Sequence, residues 1–164
     1  GNPTPSWTYG LTIRAAYKGF DIVAFGQGVN GNKIFQGLRR LDIPKANWQT
    51  KALERWTPEN PSTTYPRLTE SDPNKNYSSP SSFYLEDGSY FRLKTLQVGY
   101  SLPATVVKKI GLQKIRVYVM SENLFTITKY TGYDPEIGGT NALSIDRGVY
   151  PQARSFMGGL NVTF

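Results

Sequence analysis

The chain has 164 residues with 19 Lys+Arg, 12 Asp+Glu, no His and no Cys, giving a formal net charge of +7. Without His or Cys there is no Cys/His zinc site, no Ser-His or thiol nucleophile, no haem ligation by those residues and no disulfide framework. Hydrophobic residues are only 38% of the chain, aromatics are 13%, and 16 Gly and 11 Pro supply turns, a mixture that favours strands and loops over helices. No apolar run approaches the roughly 20 residues of a membrane helix. The first residues, 1–6, show no signal-peptide pattern. A membrane strand leaves a weaker mark than a helix, so the periodicity has to be read strand by strand.

From Trp7 to Lys18 the pattern has period two: Trp7, Tyr9, Leu11, Ile13, Ala15 and Tyr17 share one face, and Thr8, Gly10, Thr12, Arg14 and Lys18 the other. Lys18-Gly19 predicts a tight reversal. A return strand over 20–29 places Phe20, Ile22 and Ala24 on one face and Asp21 and Gln27 on the other, although Val23 and Phe25 fall on the polar side. Residues 30–88 differ in kind: Pro44, Pro58, Pro61, Pro66, Pro73 and Pro80 interrupt Ser/Thr/Asn-rich stretches without strand periodicity. One short helix is expected from Trp48 to Trp56, with Asn47 as N-cap and Pro58 ending it. Trp48, Trp56, Tyr65, Tyr77, Phe83 and Tyr84 are too many aromatics for a disordered linker, so this segment should pack on something.

A third strand spans 89–102, where a bulge near Thr95 reconciles the phases of Phe91 and Leu93 with those of Leu96, Val98, Tyr100 and Leu102. Residues 103–113 read as a short link with one helical turn over Val106–Ile110, ending at Gly111. The strand over 114–128 sets Ile115, Val117, Val119, Phe125 and Ile127 against Arg116, Tyr118, Glu122, Thr126 and Thr128. A Gly/Tyr/Asp-rich loop covers 129–154, and a last strand over 155–164 aligns Phe156, Leu160, Val162 and Phe164.

These strands exceed the five to six residues usual in soluble sheets and suit a tilted membrane span. Short links alternate with long ones, as in outer-membrane barrels. The expected fold is therefore all-β: antiparallel strands forming part of a large transmembrane barrel, with 30–88 and 129–154 as extracellular loops. An odd number of strands leaves the two ends on opposite sides, so the chain is expected to be one piece of something larger. On that reading Arg14, Lys18, Asp21, Arg116 and Glu122 face the lumen, because the opposite register would put Arg14 and Arg116 in lipid at about 2–4 kcal/mol each. Trp7, Tyr9, Tyr17, Phe20 and Tyr100 fall near strand ends, where an aromatic girdle would lie.

Several stretches resemble the end of a SusC/RagA-type TonB-dependent transporter of Bacteroidetes outer membranes. They are Ser-Tyr-Phe-Arg-Leu-Lys (89–94), Val-Gly-Tyr-Ser-Leu-Pro (98–103), Arg-Val-Tyr-Val (116–119), Glu-Asn-Leu-Phe-Thr-Ile-Thr (122–128), Gly-Tyr-Asp-Pro-Glu (132–136), Tyr-Pro-Gln-Ala-Arg-Ser-Phe (150–156) and Gly-Leu-Asn-Val-Thr-Phe (159–164). Upstream, Arg-Trp-Thr-Pro-Glu-Asn-Pro (55–61) and Tyr-Pro-Arg (65–67) are similar too. The resemblance implies that residues 1–164 are the C-terminal five-strand segment of a plugged barrel of about 22 strands. It implies import of oligosaccharides or peptides with a SusD-like surface lipoprotein, in the outer membrane, contacting membrane lipid. The plug, the remaining strands and the part that engages TonB would lie outside this chain. Phe156, Leu160, Val162 and Phe164 then resemble a barrel-assembly signal, and Trp48, Trp56, Tyr65, Tyr133 and Tyr150 are candidates for contact with the lipoprotein lid or with neighbouring loops.

No nucleophile–base or paired-carboxylate arrangement emerges, so no enzyme is expected and no substrate-binding residue is singled out. Asp134, Glu136 and Asp146 match no calcium-loop spacing, and neither metal nor cofactor is expected. Gly138-Gly139 lacks the strand and helix of a phosphate loop and reads as flexible backbone. Basic residues are scattered rather than set in an Arg/aromatic stripe, which argues against nucleic acid. The alternative reading is a soluble or surface-associated β-sheet module that captures a glycan with its loop aromatics.

Overall fold

The computed structural model describes residues 1–43, 45–137 and 143–164; Gly138 and Gly139 lie outside them. The described residues form eight strands in chain order: β1 Trp7–Tyr17, β2 Phe20–Asn30, β3 Lys33–Gln36, β4 Leu85–Asp87, β5 Tyr90–Ser101, β6 Lys114–Thr128, β7 Ile145–Asp146 and β8 Ser155–Thr163. The five long strands form one sheet in the order β1-β2-β5-β6-β8, antiparallel throughout. Their ends fall within one residue of the ranges read from the alternation. The Lys18-Gly19 reversal has both residues at positive φ, 47° and 90°, the turn geometry that matches strand twist.

The bulge expected near Thr95 is at Lys94. Leu93 pairs with Phe125 and Thr95 with Glu122, so Lys94 stands opposite Asn123 and Leu124, and Asn123 takes a left-handed φ of 50°. Against β2, Lys94 is itself the extra residue, unpaired between Leu93–Gly26 and Thr95–Phe25, and this brings Phe91 and Leu93 onto the same face as Leu96, Val98 and Tyr100. Across the sheet this face reads Leu11–Gly26–Leu93–Phe125, then Ala15–Ile22–Val98–Val119–Gly158, then Tyr17–Phe20–Tyr100–Val117–Leu160. Among the described residues nothing covers it: Leu11, Val119 and Ile127 are 60%, 62% and 63% exposed. The opposite face holds Arg14, Asp21, Arg92, Arg116 and Glu122.

The apolar core lies elsewhere. Ile34, Ala52, Tyr77, Tyr84, Tyr90 and Tyr130 are buried where the long loops gather, and Val107 is buried in the short link. Residues 30–88 are not a strandless loop, as the periodicity suggested. There β3 pairs antiparallel with β4 and parallel with β7, making a second, three-stranded sheet from both long loops. The helix expected over Trp48–Trp56 is a 3₁₀ turn at Thr50–Glu54, entered at Gln49 without a side-chain cap. Asn47 lies too early to cap it. In the short link, α1 (Ala104–Val107) runs into a 3₁₀ turn at Lys108–Ile110 that stops at Gly111, φ 75°. No helix among the described residues is long and apolar enough to cross a membrane.

Candidate functional site

The polar face of the long sheet carries two charged clusters. Near the short links, Arg116 on β6 reaches across β5 to Asp21 on β2, its Nε donating to Asp21 Oδ1 at 2.8 Å. Gly99 makes the crossing feasible, since a Cβ there would collide with the guanidinium. Tyr118 lies over Gly159 in the same way, with the Arg116 guanidinium 5.0 Å from its ring centroid. Lys18, expected on this face, sits in the turn with its ammonium 5.2 Å from the Tyr17 centroid, on the apolar side.

The second cluster pins the 129–154 loop to the sheet. Arg92, 3% exposed, donates to Thr126 Oγ1 at 2.7 Å, to Asp134 Oδ1 at 2.6 Å and to Glu136 Oε2 at 2.7 Å. Lys94, turned to this face by the bulge, reaches Glu136 at 2.6 Å. Asp134 also accepts the Glu136 amide at 2.8 Å, an Asx turn of the kind expected for Asp-Pro, and the Gln152 amide at 2.8 Å. These donors occupy the carboxylates that Asp134 and Glu136 would otherwise offer a cation.

Beyond the sheet, polar contacts knit both loops into one module. Glu86 on β4 accepts from Gln36 at 2.8 Å and from the Thr131 amide and hydroxyl at 2.8 and 2.6 Å. Asp146, 1% exposed, accepts the Tyr130 hydroxyl at 2.6 Å and the amides of Gly148 and Val149. Burial, then that bond to the Asp146 carboxylate, raise the Tyr130 hydroxyl above its ordinary range. Asp72 folds residues 72–78 by accepting the amides of Asn76, Tyr77 and Ser78. Burial would raise its pKa, but those amides lower it on balance.

The loop aromatics divide into two groups. Trp48 meets Tyr77 edge-on at 4.8 Å with Arg39 stacked over it at 3.8 Å, and Tyr65 meets Phe83 at 5.0 Å. Tyr77 donates to the Pro66 carbonyl at 2.6 Å, and burial pushes its hydroxyl up to about 12. Trp56 is half-buried, its amide bonded to the Tyr65 carbonyl. Trp48 and Tyr65 line a small cavity with Gln36, Arg39, Lys51 and Glu86. Tyr133 and Tyr150, by contrast, are 70% and 87% exposed.

On the apolar face, Trp7 and Tyr9 stand at the loop end of β1, Tyr9 stacked 6.4 Å from Phe91. Tyr17, Phe20 and Tyr100 gather at the other end, Phe20 4.6 Å from Tyr100. Phe156, Leu160 and Val162 pair with Ser121, Val117 and Ile115 on this same face, and Phe164 follows them, exposed. Arg92, Lys94 and Tyr130 had no role assigned from sequence. The bulge near Thr95 already sets Arg92 and Lys94 opposite Phe91 and Leu93, on the polar face; what has no local signal is the return of Asp134 and Glu136 to meet them, and the Tyr130 partner has none either.

No protein-family model matches the chain. Over its whole length it is 38% identical to TonB-dependent receptor P3 and 33% identical to TonB-dependent receptor P26, both of Formosa agariphila. It is 33% identical over 88 residues, 51% of the chain, to the TonB-dependent receptor SusC of Bacteroides thetaiotaomicron, covering 8% of that relative. Among solved structures it resembles the RagAB peptide importer, with TM-score 0.79 in the closed-closed state and 0.75 in the open-open state, at 28% identity. Those matches cover 99% and 98% of this chain and 18% and 17% of the other. The chain spans 17% of the length of the Formosa relatives. These relatives are named as receptors and importers, not enzymes. With an uncovered apolar face, a charged opposite face and this likeness over its full length, the chain belongs to the TonB-dependent receptors of the SusC/RagA type.

Proposed function

We propose that residues 1–164 form the C-terminal five-strand segment of an outer-membrane importer whose plug and remaining strands lie outside this chain. The observation that carries this is the segregation of faces. Arg14, Asp21, Arg92, Arg116 and Glu122 share one side of the sheet, and the other is apolar and exposed, an arrangement that suits lipid outside and a hydrated lumen inside. From Trp7 to Tyr17, ten rises of about 3.3 Å give about 33 Å of strand. At a tilt of about 40° that is about 25 Å of height, the apolar band of a barrel wall. Trp7 and Tyr9 at one end and Tyr17, Phe20 and Tyr100 at the other then occupy the two interfaces. Phe156, Leu160, Val162 and Phe164 form the assembly signal on the last strand.

The two-loop module faces outward on this reading, and the chain works with a SusD-like lipoprotein and, through its missing part, with TonB. Arg92 and Lys94 hold 132–136 against the lumen wall and so shape the mouth of the pore. Trp48, Trp56 and Tyr65 serve the packing of the module, whereas Tyr133 and Tyr150 are free to meet the lid. The cargo is an oligosaccharide or a peptide. A soluble glycan-binding module would need a cover for the apolar face. In the full-length transporter, Y133A/Y150A should lower co-purification of the lipoprotein and nutrient uptake while W48A disturbs the loop module first. Recovery of the whole protein from the aqueous fraction without detergent would overturn the barrel reading.

A further inference from the structure

Both short links carry lysines that meet no carboxylate. Lys18 forms the β1–β2 turn, and Lys108 and Lys109 sit on the helical turn between β5 and β6. Among the described residues none of the three has an ion-pair partner. The two links touch, the Ser101 amide donating to the Gly19 carbonyl at 2.8 Å. Phe20 and Tyr100, which leave these links, are packed together on the apolar face. Lys18 already leans to that side, over Tyr17.

The helical turn is amphipathic in an unusual sense. Val107 is fully buried and anchors it, while Val106 and Ile110, four positions apart and so on one side, are 49% and 62% exposed. Exposed aliphatic side chains beside unpaired lysines, on a link bonded to the turn flanked by exposed Tyr17 and Phe20, match the chemistry of a membrane interface. There apolar groups enter the acyl boundary and ammonium groups stay at headgroup level. Lys114 differs: it shares the polar face of β6 with Arg116 and lies within electrostatic reach of Asp21.

We propose that this edge binds anionic phospholipid. Lys18, Lys108 and Lys109 hold headgroup phosphates of the leaflet at the short-link end, and Val106 and Ile110 enter the acyl boundary beside Tyr17, Phe20 and Tyr100. The inference rests on the barrel-segment reading, with the short links toward the periplasm. Each lysine near an anionic surface contributes about a fivefold preference.

The test uses the full-length transporter in nanodiscs of equal phosphatidylglycerol and phosphatidylcholine, with the lipids that remain bound counted by native mass spectrometry. Wild type should retain phosphatidylglycerol in excess. K18Q/K108Q/K109Q should lower that excess about tenfold or more, and K114Q should leave it unchanged. No excess in wild type, an unchanged excess in the triple variant, or an equal loss in K114Q would overturn the proposal; an acidic protein partner would then be the better account of the lysines. A membrane-impermeant maleimide separates the two readings. Labelling of K108C on intact cells would refute the orientation itself. Labelling only after the outer membrane is permeabilised, with lipid retention unaffected in the triple variant, would refute this inference alone.

Discussion

Replacing Arg92 with Met should release the 129–154 loop while leaving the long sheet in place. The guanidinium and the Asp134 carboxylate are equally buried, each side chain 4% exposed. Without Arg92, Asp134 keeps the Glu136 and Gln152 amides but loses its countercharge. Stranding one member of a buried pair costs about 3–5 kcal/mol. Glu136 is more exposed and keeps Lys94, so its loss adds little. With a factor of ten for every 1.4 kcal/mol, loop opening should rise about a hundredfold to a few-thousandfold. Hydrogen exchange on the full-length transporter in detergent reads this directly, in peptides covering 130–137 and 145–152, with β5 and β6 peptides as reference. R92M/D134N removes the stranded charge and should recover part of the protection. Two results would refute the reasoning: unchanged exchange in R92M with the barrel assembled, or loosening in R92M/D134N as large as in R92M.

Gly99→Val should force the Arg116 guanidinium off its path to Asp21, and the yield of heat-modifiable, folded barrel on gels should fall. An unaffected yield would mean the crossing is dispensable. Tyr130→Phe deprives buried Asp146 of one of its three donors, a cost of about 1–3 kcal/mol, seen as faster exchange over 145–149 with no change in β1 or β2. Asp72 titrates below its ordinary value in the folded loop, so its contribution is fully present above about pH 4 and is lost as pH falls through the lowered folded value. In a W7F/W56F background, emission from Trp48, which packs on Tyr77, should therefore shift red below about pH 4. D72N should show that shift already at neutral pH; a D72N protein with wild-type emission would sever the link between the Asp72 cap and the aromatic cluster.

The long strands were legible because each is a local statement. Successive side chains on a strand point to opposite faces, so Leu11, Ile13 and Ala15 against Thr12, Arg14 and Ala16 declare a two-sided sheet before any partner is known. Lys18-Gly19 declares the turn by the backbone it permits. The bulge was visible as a break in phase, and only its position, Lys94 rather than Thr95, needed coordinates. The loop module is the opposite case. β3, β4 and β7 have four, three and two residues, too short for any periodicity, and Phe35 pairs with Ile145 across most of the chain. The Trp48–Trp56 segment has a helical look in isolation, yet settles as a single 3₁₀ turn whose Ala52 is buried among aromatics. Arg92 meets Asp134 at a separation of 42 residues, and Asp146 is a buried carboxylate only because Tyr130 and two amides converge on it. Alternation is set by neighbours along the chain, so the sequence by itself determined the wall; burial and ion pairing are set by neighbours in space, so only the tertiary structure could decide what closes over its end.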